Sequence, residues 1–394
     1  MRRSSLLLGA ALATSCGGDA RQAVQSDVSA LADTVVALPD AASPETPDAV
    51  MVPDVPPAPD AVATEVAEAP DIAPPLPPPE VRFAVLGDAG TGSDTQRKVA
   101  VALRDACAAR GCDFILMTGD NIYDAGVEDV LDAQWETKFE SPYRDVPGPF
   151  YPALGNHDNG GFLTQWLGDF FGGAGAEFER GDVQVAYSQV SSKWRMPARS
   201  HDFRQAHAHF FALDTNDMIW SVQNDGAAAR SAAQIATIPG RIDASDATWK
   251  IAFGHHPWVS NGPHGDAGAY EGLEEDITDL AAAVSFLGDL SAVVSGDGVR
   301  DGLEAIVCDR VDLYFAGHDH SLQWFAPTAD CPNTHFVVSG ASAKLTKLKR
   351  ADRTRFQHVA SAGFFWVRLR GPELEVVAID EDGTTLWTWQ ARKD

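Results

Sequence analysis

Residues 119–126 read Gly-Asp-Asn-Ile-Tyr-Asp-Ala-Gly, just after the apolar run Phe114-Ile-Leu-Met117. The two oxygens of a carboxylate such as Asp120 can bridge two cations, and Tyr123, three residues on, can offer a phenolate. Glycine-flanked polar residues recur after other apolar runs: Asp88 in Gly87-Asp-Ala-Gly90, Asn156 with His157 and Asp158 in Gly155-Asn-His-Asp158, His255 and His256 in Gly254-His-His-Pro257, and His318 and His320 in Gly317-His-Asp-His320. Hard oxygen and borderline nitrogen donors in one set suit iron, zinc or manganese. A single such turn reads as an Asx turn capping a helix. Repetition at each apolar run turns the reading to a metal site.

These donors need a scaffold that brings several strand ends to one place. Strands are expected at Val81–Leu86, Phe114–Met117, Phe150–Leu154, Val183–Gln189, His209–Asp214, Trp249–Phe253 and Val311–Ala316, then at His335–Ser339, Phe364–Leu369, Leu374–Ile379 and Leu386–Trp389. Helices are expected over about 95–109 and 130–139. Asp380 to Gly383 carries a hairpin signal. Alternating strands and helices point to a layered α/β domain, whose chemistry sits at the carboxyl ends of its parallel strands.

The 394-residue chain carries a formal charge of −26 and 45% apolar residues, enough for a sizeable core. That charge argues against nucleic acid or an anionic membrane surface as partner, yet bound cations can reverse the local field for a small anionic substrate. Arg2, Arg3 and the run Leu6–Ala13 read as an export signal too short to span a bilayer. Residues 12–16, Leu-Ala-Thr-Ser-Cys, resemble a bacterial lipobox, so residues 1–16 are read as a lipoprotein-type or secretory signal, with Cys16 carrying lipid after cleavage. Membrane contact is expected through that lipid alone. The product is then held at the envelope of a bacterial cell, or is otherwise periplasmic or secreted. Residues 17–80 hold thirteen of the 24 prolines and a single base, Arg21, and are read as a disordered acidic tether. The folded domain is expected over 81–394, its motif-bearing core over about 81–342. Four further cysteines, Cys107, Cys112, Cys308 and Cys331, suggest two disulfides in one of three connectivities.

The motifs at 87–90, 119–126, 155–158, 254–257 and 317–323 resemble, in order, those of the calcineurin-type metallophosphoesterases, and within them the small, tartrate-resistant purple acid phosphatases. Most of that superfamily begin with D-x-H; here Ala89 and Gly90 follow Asp88, and Tyr123 supplies the replacement ligand, as in the purple enzymes. The resemblance implies an α/β/β/α sandwich. It places Fe(III) on Asp88, Asp120, Tyr123 and His320, and Fe(II), Zn(II) or Mn(II) on Asp120, Asn156, His255 and His318, with Asp120 bridging. Attack of a metal-bound hydroxide on a small phosphate monoester would follow, without a phosphoenzyme. His157, oriented by Asp158, and His264 are expected to protonate the leaving group or bind phosphate, with Asn156, His157 and His256 facing substrate. The alternatives are a phosphodiesterase acting on nucleotides or phospholipid headgroups, and a surface binding module without catalysis. His201, His207, His209, His335 and His358 are read as structural. The stretch 265–300 is expected to wall the pocket, and Lys344, Lys347, Lys349 and Arg350 to form a solvated loop.

Overall fold

The computed structural model describes residues 78–160, 177–270 and 295–393. The signal, Cys16 and the tether up to residue 77 lie outside the described residues, as does most of the 265–300 stretch (271–294). None of the described helices is long and apolar enough to cross a membrane.

Two mixed sheets pack face to face. The first has the order β15-β14-β13-β1-β2-β3, built from β1 (Glu80–Leu86), β2 (Phe114–Met117), β3 (Phe150–Pro152), β13 (Gly363–Arg370), β14 (Glu373–Asp380) and β15 (Thr385–Arg392). The second has the order β12-β10-β11-β9-β6-β5-β4, from β4 (His201–Gln205), β5 (Ala208–Ala212), β6 (Trp249–Phe253), β9 (Leu313–Ala316), β10 (Leu322–Phe325), β11 (His335–Ser339) and β12 (Thr354–His358). Two short strands, β7 (Gly265–Asp266) and β8 (Ala269–Tyr270), pair apart from both. The site-bearing strands run parallel: β1 with β2, β2 with β3, β5 with β6 and β6 with β9.

Side-chain alternation along each strand assigns the layers. In β1, Val81, Phe83 and Val85 face the second sheet, while Ala84 and Leu86 turn to α1 (Asp94–Arg110). In β9, Leu313 and Phe315 enter the inter-sheet core, whereas Tyr314 and Ala316 meet Met218, Ile242 and Leu303. Those three belong to α3 (Thr215–Ile219), α4 (Asp225–Asp243) and α5 (Asp297–Ile306). Strands buried on both faces carry near-continuous apolar sequences. The result is the expected helix–sheet–sheet–helix order. Helix α1 starts where the Ser93 hydroxyl accepts the Gln96 N–H at 3.2 Å and ends at Gly111, φ 82°. Disulfides join Cys107 to Cys112 and Cys308 to Cys331.

Several local expectations are corrected. Residues 183–189 are not a strand: α2 (Phe178–Tyr187) covers most of them. Its buried residues Phe178, Gly181, Gln184 and Tyr187 recur every three positions, so a helix buries them together, while Val183 and Val185 are only half-buried. The helix expected over 130–139 is shortened to residues 134–140, of which Glu136–Glu140 form a wider turn. Helices α4 and α5 and strands β4, β10 and β12 were not expected. In α4 the buried stripe includes Ser231 and Gln234, and Pro239 interrupts the pattern, which hides a helix from a reading based on apolar period.

Phe83 occupies the middle of the inter-sheet core, stacked on Phe114 at 5.3 Å and edge-on to Phe210 and Phe315. Phe83→Ala is expected to cost about 3–5 kcal/mol in urea unfolding. A loss under about 1 kcal/mol would mean that the two sheets do not share this core.

Candidate metal centre

Asp88 follows β1, Asp120 follows β2 and Asn156 follows β3, three neighbouring strands of the first sheet, while His255 follows β6 and His318 follows β9, neighbours in the second. The strand ends are cross-tied. Asp88 N–H donates to the Gly119 carbonyl at 3.0 Å, and His318 N–H donates to Asp88 Oδ2 at 2.9 Å, joining the sheets. Asp88, Asp120 and His318 hold φ of 56°, 52° and 70°, a region that residues with a Cβ seldom occupy and that clusters at functional sites. Gly155 is required by contact, since a Cβ there would lie 2.2 Å from Asp120 N and Oδ1.

Asp88, Asp120 and His255 bring ligand atoms within 4.8 Å of one another, all buried. Around them the structure gathers the other expected donors. Tyr123 Oη lies 3.1 Å from Asp88 Oδ1 and 3.3 Å from His320 Nε2. His255 Nε2 lies 2.9 Å from Asn156 Oδ1, 3.1 Å from His318 Nδ1 and 3.5 Å from Asp120 Oδ1. Outer contacts set the tautomers. His255 Nδ1–H donates to the Thr118 carbonyl at 2.9 Å, and His320 Nδ1 meets Thr346 Oγ1 at 2.9 Å. His255 therefore turns a bare Nε2 inward, and His320 turns its Nε2 towards Tyr123 Oη. For His255 that lone pair faces the carbonyl oxygen of Asn156 and a carboxylate, an arrangement of acceptors that a cation satisfies.

The electrostatics agree. Burial, then the Asp120 charge, pushes Asp88 well above its ordinary carboxyl range. Burial, then Asp120 and Asp88, pushes the Tyr123 phenol far up. Asp120 is held well below the usual range: burial opposes this, but the His255 and His157 imidazoles outweigh it, helped by Tyr123 and the His157 N–H, which donates at 3.0 Å. Burial pushes His255 down, and the Tyr123 hydroxyl and the His157 N–H are the donors that persist when that imidazole is neutral. His318 is pushed down by burial and neighbouring imidazoles, and His320 to about 3 by burial and then Lys344. Neutral imidazoles are the ligand form of histidine, and the burial and crowding that push Asp88 and Tyr123 up are what a bound cation would relieve, so this donor set fits two metal ions.

The residues expected at the substrate divide. His157 lies over the Tyr123 ring at 4.4 Å; its Nδ1 meets the Asp124 carbonyl and its Nε2 is 4.0 Å from Asp120 Oδ2. His264 stacks on His318 at 4.0 Å, its N–H on Asp319. Asp158 is a correction. It does not orient His157: its buried carboxylate accepts the N–H groups of Asn121, Ile122 and Gly155 and the amides of Asn121 and Gln184, all between 2.7 and 3.1 Å. Burial and then Asp120 push it up to about 7 against those donors. It is the knot between two ligand loops. His256 is corrected too: only 2% exposed, with Nδ1 on Thr215 Oγ1 at 2.8 Å, it supports His318 from behind instead of facing substrate. The five histidines read as structural make their contacts with backbone, Asp or Ser groups elsewhere.

Sequence reasoning missed Thr118, Thr215 and Thr346 as imidazole partners, and Lys344, whose ammonium sits 3.9 Å over the Tyr123 ring. No motif marks these residues; the basic run at 344–350 was the one available signal.

Residues 81–322 match the calcineurin-like phosphoesterase family. The chain is 27% identical to purple acid phosphatase 4 of Arabidopsis thaliana, covering 81% of this chain and 86% of that one. It is 26% identical to tartrate-resistant acid phosphatase type 5 of Sus scrofa over 79% and 86%. Among solved structures, the purple acid phosphatase PPD1 of yellow lupin superposes with a TM-score of 0.55 at 14% identity, over 80% of this chain and 54% of that one.

Asp158→Asn places an amide donor where donors already converge and is expected to cost about 2–3 kcal/mol of stability, with loss of bound metal. Thermal unfolding and metal analysis measure this. If stability is unchanged and the pH–rate profile alone moves, Asp158 acts through His157 and the knot assignment fails.

Proposed function

The chain belongs to the calcineurin-like phosphoesterase family and is a hydrolase of that kind, and from that premise we propose that it cleaves phosphate monoesters at a binuclear iron-containing centre. The observation that carries the reading is the convergence of Asp88, Asp120 and His255, with Tyr123 close against Asp88 and His320 in the place of the missing D-x-H histidine. We assign Asp88, Asp120, Tyr123 and His320 to Fe(III), and Asp120, Asn156, His255 and His318 to Fe(II), Zn(II) or Mn(II). When bound, such a pair of ions supplies Lewis acidity to the phosphoryl group and to the attacking water.

The protein's own groups do the rest. Asp120 is the donor shared by the two assigned sets: its Oδ1 accepts the His157 N–H at 3.0 Å and faces His255 Nε2 at 3.5 Å, and its Oδ2 faces His157 Nε2 at 4.0 Å. His157 has Nδ1 committed to the Asp124 carbonyl, so Nε2 is the atom that carries a proton towards the leaving alkoxide. His264, stacked on His318, is the second imidazole able to bind phosphate or hold that proton. A small phosphorylated substrate is the expected partner; nucleic acid is not, given the charge of −26.

We further propose that the protein is exported from a bacterial cell and tethered through lipid on Cys16, a reading that two disulfides favour. Cys16→Ser is expected to move the protein from the detergent phase to the aqueous phase without loss of specific activity; detergent partition of the unaltered protein into water would remove the lipid claim.

Metal analysis and a visible spectrum of the purified protein test the centre. Iron and an absorption band are expected, with the band lost in Tyr123→Phe. A colourless protein, or a band unchanged by the substitution, would overturn the tyrosinate–iron assignment. Rates on p-nitrophenyl phosphate are expected to exceed those on its bis-ester, and dominance of the diester would replace the monoester reading with the phosphodiesterase one.

A further inference from the structure

We propose that Lys344 is a substrate-binding residue, its ammonium taking the second negative charge of a dianionic phosphoryl group and thereby favouring monoesters over diesters. The proposal rests on the phosphomonoesterase reading above and deepens it.

The ammonium is delivered to the site by its backbone. Two residues earlier, Ser342 N–H donates to the Gly87 carbonyl at 3.2 Å, and its hydroxyl accepts the Gly87 N–H at 3.3 Å. Two residues later, Thr346 N–H donates to the His320 carbonyl at 3.0 Å, and Thr346 Oγ1 meets His320 Nδ1 at 2.9 Å. Lys344 is therefore pinned between the Asp88 loop and the His320 loop. Its Nζ sits 3.9 Å above the Tyr123 ring, and its charge reaches both Asp88 and His320. Among the described residues no carboxylate is paired with it in an ion pair, and the side chain is half-buried rather than solvated.

The neighbouring cations are otherwise engaged. Lys138 reaches the same loop, but its ammonium donates to the Tyr123 carbonyl and to Gln134 Oε1 at 2.7 Å. Arg350 turns to the Ser260 carbonyl at 2.8 Å and lies 3.6 Å from Asp266. Lys347 is exposed. Among the described residues this leaves Lys344 as the basic side chain whose ammonium lies over the Tyr123 ring beside Asp88 and His320. A lysine ammonium is a compact point charge with three donors, suited to phosphoryl oxygens. A monoester carries close to two charges above about pH 6, whereas a diester carries one and has an ester group in place of an ionised oxygen. A cation at this position acts on that difference.

The test compares the metal-loaded full chain with Lys344→Met, Lys344→Arg and the exposed control Lys347→Met. Inorganic phosphate binding is read by calorimetry, and kcat and KM are measured for p-nitrophenyl phosphate and its bis-ester. Lys344→Met is expected to weaken phosphate binding and raise the monoester KM by roughly tenfold, a charge-assisted hydrogen bond's worth. Monoester kcat and diester KM should stay within about twofold, Lys344→Arg should recover most of the affinity, and Lys347→Met should match the parent. Phosphate affinity unchanged in a folded, metal-loaded Lys344→Met, or no phosphate binding by the parent, would overturn the proposal. An equal KM rise on both esters would overturn its selectivity. A parent that binds phosphate yet prefers diesters, or contains no iron, would sink the monoester–iron reading while the phosphate titration still reads Lys344 separately.

Discussion

Two carboxylates, Asp88 and Asp120, lie at the ends of adjacent parallel strands with exposures of 0% and 1%. Like charges brought together out of water repel and lose solvation, and the rest of the site is arranged around that problem. Among the described residues no arginine is paired with either. Instead the backbone N–H of His318 and the Tyr123 hydroxyl bind Asp88, the N–H of His157 binds Asp120, and ligand atoms of Asp88, Asp120 and His255 gather within 4.8 Å of one another. A cation resolves this arrangement at once, because it removes the repulsion and satisfies the acceptors together.

The loops that hold the carboxylates are stiff for reasons outside the centre. Asp158 gathers donors from the 119–122 and 155 turns, and Gln184 from α2 reaches the same carboxylate. Threonines set the imidazoles: Thr346 against His320 and Thr215 against His256, with the Thr118 carbonyl doing so for His255. A ligand whose second nitrogen is hydrogen-bonded keeps one tautomer and one orientation. Three left-handed backbone positions at Asp88, Asp120 and His318 persist because these contacts over-determine them.

The donors themselves were legible from the chain alone, because each follows an apolar strand and is flanked by glycine where backbones approach closely. A Cβ on Gly119 would lie 2.6 Å from His255 Nδ1 and 2.8 Å from Gly155 Cα, and one on Gly155 would lie 2.2 Å from Asp120. Adjacency in sequence suggests that Asp158 orients His157, but from the turn at His157–Asn159 the two side chains reach different partners, the Asp124 carbonyl for His157 and the Asn121, Ile122 and Gly155 N–H groups for Asp158. In α2 the short alternation of Val183, Val185 and Tyr187 imitates a strand, and in α4 the buried Ser231 and Gln234 mask the helical period.

What the sequence by itself determined was the donor inventory and the strand before each donor, because these depend on residue type and short-range pattern. Which atoms meet was decided only by the tertiary structure. The His318 N–H and Asp88 carboxylate are 230 residues apart, and Lys344 reaches Tyr123 from a loop beyond the last motif. Such contacts depend on how two sheets stack and where a loop is pinned. Those are properties of the packed core, and no local pattern of residues carries them.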